Sequence, residues 1–222
     1  MERRFHPISF RNFLRSWPTL LLIILGFSSA IVIGGHSPHG HALEREPEQV
    51  AVRNQWQGAS FPVENFQAYT SPFGYRRSPT GGSAREFHRG LDMAAPKGSY
   101  VRNWWTGYVL TMSDNTACGT SIVIQSGSWK HTYCHLSGHV QTINGRRHLI
   151  DRQGGLQIQQ GQSVPAGFRI GRVGMTGRTT GPHLHWGLKY DNRDVDPALV
   201  LRAMYAEQNR RQLSSSLPTK AP

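Results

Sequence analysis

Between residues 164 and 180 the chain carries glycine at positions 167, 171, 174 and 177, a density that no helix tolerates. Each glycine inside a helix costs about 1 kcal/mol relative to alanine, so this stretch folds as turns and short extended pieces. The segments before it point the same way. Residues 100–110 (YVRNWWTGYVL), 121–125 (SIVIQ) and 130–136 (KHTYCHL) are rich in β-branched and aromatic side chains and are bounded by Gly, Asn, Asp and Ser. That is the pattern of short strands. Residues 125–128 (QSGS) read as the hairpin turn joining the second and third. No phosphate-binding or dinucleotide-binding glycine motif occurs. Helical periodicity is confined to residues 196–213, and 214–222 (SSSLPTKAP) read as disordered. The fold class is mainly β and antiparallel. The domain is expected over 71–201, with a helix end and tail over 202–222.

The first 70 residues are of another kind. Residues 1–16 carry Arg3, Arg4, Arg11 and Arg15, and residues 17–35 (WPTLLLIILGFSSAIVIGG) contain no charge. A basic flank ahead of such an apolar run places the amino terminus in the cytoplasm and the chain beyond the run outside it. The run stands at the border between a cleaved signal peptide and a short membrane helix. Small residues at 28–30 and 40–42 suit a signal peptidase. In either case the remainder is exported to the periplasm or cell envelope, and a retained helix would anchor it to the cytoplasmic membrane. Residues 36–70 form a polar linker. His36, His39 and His41 within it read as part of a solvated tether, since nothing rigid fixes them around a metal.

The formal charge of +12, from 25 Lys and Arg against 13 Asp and Glu, suits an anionic partner such as nucleic acid, a membrane surface or a wall polymer. Export disfavours nucleic acid. Six Trp, seven Tyr and nine Phe supply core mass and exclude a disordered chain. Two cysteines are too few for a disulfide-dense miniprotein. In an oxidising compartment Cys118 and Cys134 are expected to pair, because a hairpin centred near Ser126 sets them opposite each other.

Three groups of residues carry chemistry. His88-Arg-Gly-Leu-Asp92 places an imidazole and a carboxylate four positions apart, and both are good zinc ligands. In a straight strand they would lie about 13 Å apart, so the chain has to bend, which Gly90 and Pro96 permit. In His183-Leu-His185-Trp186, alternation sets His183 and His185 on one face and Leu184, Trp186 and Leu188 in the core. Periodicity leaves open whether both hold an ion or one serves as acid and base. The same alternation sets His131, Tyr133 and His135 on one face with Cys134 on the other.

These residues stand in an order that resembles the lysostaphin-type zinc endopeptidases, which cut peptidoglycan cross-links. The likeness runs from Ser71-Pro-Phe-Gly-Tyr-Arg76 through residues 87–96 (FHRGLDMAAP) and Tyr133-Cys-His135-Leu-Ser137. It continues in Gly161-Gln-Ser-Val, residues 170–177 (IGRVGMTG), residues 180–186 (TGPHLHW) and Asp196-Pro197. The resemblance implies a compact antiparallel β domain crossed by a groove. It implies one zinc ion held by His88, Asp92 and His185, with His135 and His183 catalytic, and hydrolysis of an amide bond in peptidoglycan by a zinc-activated water. Trp104-Trp105 and Trp186 depart from the family's usual residues, but none is a ligand position. Residues 138–160, basic at Arg146, Arg147 and His148, read as one of the variable loops that wall the groove. The competing expectation is a non-catalytic wall-binding or amidase-regulating module, as in relatives that have lost ligands. All three ligand positions and both catalytic histidines stand in this chain, which favours the enzyme.

Overall fold

The computed structural model describes Trp56 and residues 58–216, except 79, 80 and 82. The basic segment 1–16, the apolar run 17–35, His36, His39, His41 and the tail 217–222 lie outside the described residues. Among the described residues no helix is long and apolar enough to cross a membrane.

Turn residues interrupt the chain every few positions, so the strands are short. In order they are β1 (Ala68–Ser71), β2 (Gly74–Arg77), β3 (Arg85–His88), β4 (Leu91–Ala94), β5 (Tyr100–Arg102), β6 (Gly107–Ser113), β7 (Ser121–Ser126) and β8 (Trp129–Cys134). After these come β9 (His139–Ile143), β10 (Arg146–Asp151), β11 (Leu156–Gln159), β12 (Ser163–Val164), β13 (Arg169–Arg172), β14 (His183–Tyr190), β15 (Arg193–Val195) and helix α1 (Pro197–Ser216). The main sheet runs β1-β4-β14-β8-β7-β6-β12, with β15 beside the far end of β14, and its pairings are antiparallel. Smaller sheets pair β2 with β3, β5 with β13, and β9–β11 with one another.

The pleat of β14 sorts its side chains. Leu184 faces Met93, and Trp186 faces both Leu91 and Tyr133, while Leu188 faces His131. All are buried, with Trp104 packed edge-on against Trp186. Each buried indole removes roughly 200 Å² from water, a stabilisation of at most about 5 kcal/mol. His131 belongs to this core. Its Nδ1 accepts from the Tyr133 hydroxyl at 2.9 Å, its Nε2–H donates to Ser126 Oγ at 2.8 Å, and Tyr133 accepts the Trp104 N–H at 2.8 Å. Burial pushes the His131 pKa down to about 3, so the ring is neutral.

Four expectations change. Residues 100–110 make two strands in different sheets, because the Asn103 side chain donates to Trp105 O at 2.7 Å and Val164 O at 2.9 Å and breaks the extended run. The linker cannot reach residue 70, since Ala59 and Val63 are buried, Val63 bridges Val101, and Gln208 Nε2 donates to Ala59 O at 2.9 Å. Helix α1 outruns residue 213 and buries Val200, Leu201 and Met204, so the packed domain extends past 201. Asp196 caps its start, with Oδ1 accepting the Ala198 N–H at 2.9 Å ahead of Pro197. Finally, residues 138–160 are no loop. They form the β9–β11 sheet, turned at Asn144-Gly145 with both φ angles positive, and they bury His148 and Leu149.

Candidate metal centre

On the face of the sheet opposite Trp186, three neighbouring strands bring imidazoles and a carboxylate together. Asp92 on β4 is the register partner of His185 on β14. His88 ends β3, which lies outside the main sheet, and the chain turns back through Arg89 and Gly90 into β4. That turn closes the gap a straight strand would leave: His88 Nε2 lies 3.0 Å from Asp92 Oδ1. His185 Nδ1 is 2.9 Å from the same oxygen and 2.8 Å from His88 Nε2. Gly90 is needed for space. A Cβ there would stand 2.6 Å from His185 Cε1 and 2.8 Å from Trp186 O.

His135 reaches the group by breaking alternation. Cys134 is the register partner of His185 and so shares its face, which would send the next side chain into the core. β8 ends at Cys134, however, and His135 takes φ +60°, which turns its ring back beside His183 at a centroid distance of 4.8 Å. The expected common face of His131, Tyr133 and His135 therefore does not exist: His131 and Tyr133 are core, and His135 lies with His183 and His185.

Backbone carbonyls set the tautomers. His88 Nδ1–H donates to Pro72 O at 2.7 Å, His135 Nδ1–H to Thr176 O at 2.9 Å, and His183 Nδ1–H to Gly181 O at 2.8 Å. Each ring thereby turns an Nε2 lone pair away from its carbonyl. His183 Nε2 lies 3.7 Å from Asp92 Oδ1. Burial lowers the His135 pKa to about 4, so it is neutral near pH 7. Burial alone would raise the Asp92 carboxyl, but the His185 and His88 rings against it, which favour the charged carboxylate when protonated, outweigh burial and hold the group well below the usual carboxylate range. Burial also lowers His185, opposed by its bond to Asp92.

Support comes from a close approach of two backbones. Gly119 and Gly177 both have positive φ, and a Cβ on Gly177 would lie 2.3 Å from Gly119 N. Thr176, beside them, accepts the Thr120 N–H and donates to Leu136 O, each at 2.9 Å. Cys118 sits in the same turn and is disulfide-bonded to Cys134, with 4.9 Å between the Cα atoms. The pair matches the expectation, but the register differs. Ser126 faces Trp129, so the hairpin centres on Gly127-Ser128. Cys118 therefore reaches Cys134 from the turn ahead of β7, where its carbonyl accepts the His135 N–H at 2.8 Å.

The surroundings form a basic groove. Two adjoining cavities, of about 380 and 360 Å³, share Arg76, His135, Arg178 and His185 in their walls. Larger hollows of about 880 and 650 Å³ contain none of the clustered side chains. Arg76, absent from the expected site residues although it closes the Ser71–Arg76 motif, donates Nη1 to Asp92 Oδ2 at 2.9 Å.

Donor chemistry suits a divalent cation. His88, Asp92 and His185 each offer one atom, all within 4.8 Å of one another. Tetrahedral bonds of about 2.0 Å to zinc separate donors by about 3.3 Å, so these atoms need to spread by a few tenths of an ångström. His185 Nδ1 would also surrender the proton it shares with Asp92. Three protein donors in an open groove, with further imidazoles beside them, have the form of a catalytic metal centre and not of a closed structural one.

The chain belongs to peptidase family M23, whose profile matches residues 86–197. It is 35% identical over 132 residues to the DD-carboxypeptidase/endopeptidase Mpg of Neisseria meningitidis, covering 59% of this chain and 26% of that one. It is 33% identical over 163 residues to the peptidoglycan DD-endopeptidase ShyA of Vibrio cholerae, covering 72% and 31%. A solved structure of a zinc containing peptidase from Vibrio cholerae is similar at 32% identity and a TM-score of 0.47, over 65% of this chain and 38% of that one. The chain thus spans between a quarter and a third of the length of these curated relatives.

Proposed function

We propose that this chain is a zinc endopeptidase that hydrolyses amide bonds in the peptide cross-links of peptidoglycan. The observation that carries the proposal is the convergence of His88, Asp92 and His185 beside two more imidazoles in a groove. The names of the relatives, peptidoglycan DD-endopeptidase among them, support the substrate class. His88 Nε2, Asp92 Oδ1 and His185 Nδ1 would hold the ion. Zinc bound there supplies Lewis acidity and lowers the pKa of water.

The chain's own residues do the rest. His135 and His183 face the same space with Nε2 lone pairs, so one can take a proton from the attacking water. Once protonated, either ring donates to the oxyanion or to the leaving amine. The carbonyls of Thr176 and Gly181 keep the tautomers that this requires. Asp92 contributes one negative charge, so a site holding a dication stays net positive and favours an anionic transition state. Arg76 and Arg178 are matched by Asp92 and Glu86, and the further arginines Arg77 and Arg89 leave the groove walls net basic, which suits an acidic wall polymer. Residues 1–35 would direct the chain out of the cytoplasm, as signal or anchor, which places the domain where peptidoglycan is.

The test is digestion of purified peptidoglycan by the full chain, with released fragments identified by mass spectrometry. New amine and carboxyl termini at cross-links are expected, lost with a strong chelator and restored by zinc. Protein carrying stoichiometric zinc that leaves cross-links intact would overturn the proposal.

A further inference from the structure

We propose that Arg76 is a positioning residue for the metal centre, restricting Asp92 to a single oxygen, Oδ1, facing the ion. This rests on the reading of His88, Asp92 and His185 as zinc ligands. A free carboxylate can turn either or both oxygens toward a cation. Here the two oxygens have separate partners. Oδ1 meets His88 Nε2 at 3.0 Å and His185 Nδ1 at 2.9 Å, while Oδ2 accepts from Arg76 Nη1 at 2.9 Å. The carboxylate side chain is only 8% exposed, so solvent does not compete strongly for Oδ2.

The guanidinium is itself immobilised by acceptors on other strands. Ser71, the register partner of Asp92 on β1, accepts from the same Nη1. Glu86, the register partner of Arg76 on β3, accepts from Nη2 at 3.5 Å. Glu86 is held in turn by Arg178, whose Nη2 donates to Oε2 at 2.9 Å. The planar fork of arginine suits this divided task, which a lysine ammonium reproduces only in part. Partners that orient a ligand in this way typically carry a 10–100-fold effect on metal affinity.

A simpler role for Arg76 is to tie the β2–β3 hairpin to the main sheet. The two roles separate on metal binding. Zinc affinity of the full chain is measured against a chromophoric chelator for wild type, Arg76→Met, Arg76→Gln and Arg76→Lys. The visible absorption of the Co²⁺-loaded forms is recorded alongside. Arg76→Met and Arg76→Gln should bind zinc about 10–100-fold more weakly, with Arg76→Lys between them and wild type. The cobalt bands of Arg76→Met should lose intensity as Asp92 presents both oxygens and coordination rises from four to five. Zinc affinity within about threefold of wild type and an unchanged cobalt spectrum would overturn the inference, whatever the melting temperature does. Should Arg76→Met fail to unfold cooperatively, Arg76→Gln decides by the same criterion. Wild-type protein that takes up no zinc overturns the metal reading and this inference with it, whereas variants matching a zinc-binding wild type overturn the inference alone.

Discussion

Gly90→Ala adds one methyl group, and its consequence can be worked from three distances. The new Cβ would lie 2.6 Å from His185 Cε1, 2.7 Å from His185 Nε2 and 2.8 Å from Trp186 O. Carbon atoms rest about 3.5 Å apart or more, so the imidazole has to retreat by about 0.9 Å. Trp186 O belongs to a strand paired on both sides and cannot share the movement. Metal bonds of about 2.0 Å tolerate errors near 0.2 Å, so the displaced ring gives up its place in the donor set. Torsion is no obstacle, because φ at Gly90 lies outside the left-handed range. The expected result is at least a tenfold loss of zinc affinity, in the range seen when a ligand loses its orientation. Overpacking should cost only about 1–3 kcal/mol of stability. Chelator competition reads the first quantity and thermal unfolding of the metal-free protein the second. Zinc affinity within threefold of wild type would refute the reasoning, since the ring would then have room to move without leaving the site.

Three other outcomes are expected. His131 is neutral in the fold, with a pKa of about 3, and ordinary in the unfolded chain, so as pH falls below about 6.5 the unfolded state gains a proton that the fold refuses. Its contribution is complete above that pH and is lost toward pH 3 at about 1.4 kcal/mol per unit, and denaturant titrations of metal-free His131→Gln should show a shallower pH slope than wild type. His183→Ala should keep near-stoichiometric zinc while turnover falls by about two orders of magnitude or more, whereas His185→Ala should lose both, as metal analysis beside peptidoglycan digestion will show. Unreduced, denatured protein should present no free thiol, and reduction of Cys118–Cys134, separated by 16 residues, should lower stability by about 3 kcal/mol.

The pairing of His183 with His185 is legible in the sequence because its spacing is short: the two need only the pleat of one strand to share a face. Local pattern cannot show how His88 and Asp92 meet, since the turn at Arg89-Gly90 matters through the distant His185 ring that leaves no room for a side chain. His135 defeats strand reasoning because one left-handed residue cancels alternation, and nothing in Tyr133-Cys-His135 announces it. The cysteine pair emerges from an approximate hairpin centre, displaced from the observed Gly127-Ser128 turn, and the bond forms because Cys118 lies in a turn with reach to spare. Residues 138–160 do hold a readable sign, the Asn144-Gly145 turn between β-prone runs, although their basic charge suggests an exposed loop. Residues 59–67 look like polar tether until Val101 and α1 supply something for Ala59 and Val63 to pack against.

The reversal at His135 divides β8 by parity. Tyr133 and His131 serve the interior on odd positions, Cys134 serves the other face on an even one, and His135 is odd yet stands with the even set. Deleting one residue between Trp129 and Cys134 would therefore reverse the faces of the residues on one side of the cut, turning a core side chain such as Tyr133 or His131 away from the interior. Several residues added at Gly127-Ser128 would leave both sets where they are, because that turn carries no parity. Length variation here is thus bounded by counting, not by size: a single-residue change in the strand costs a reversal of faces or a bulge like those in β1 and β6, and the turn that precedes it carries no such cost.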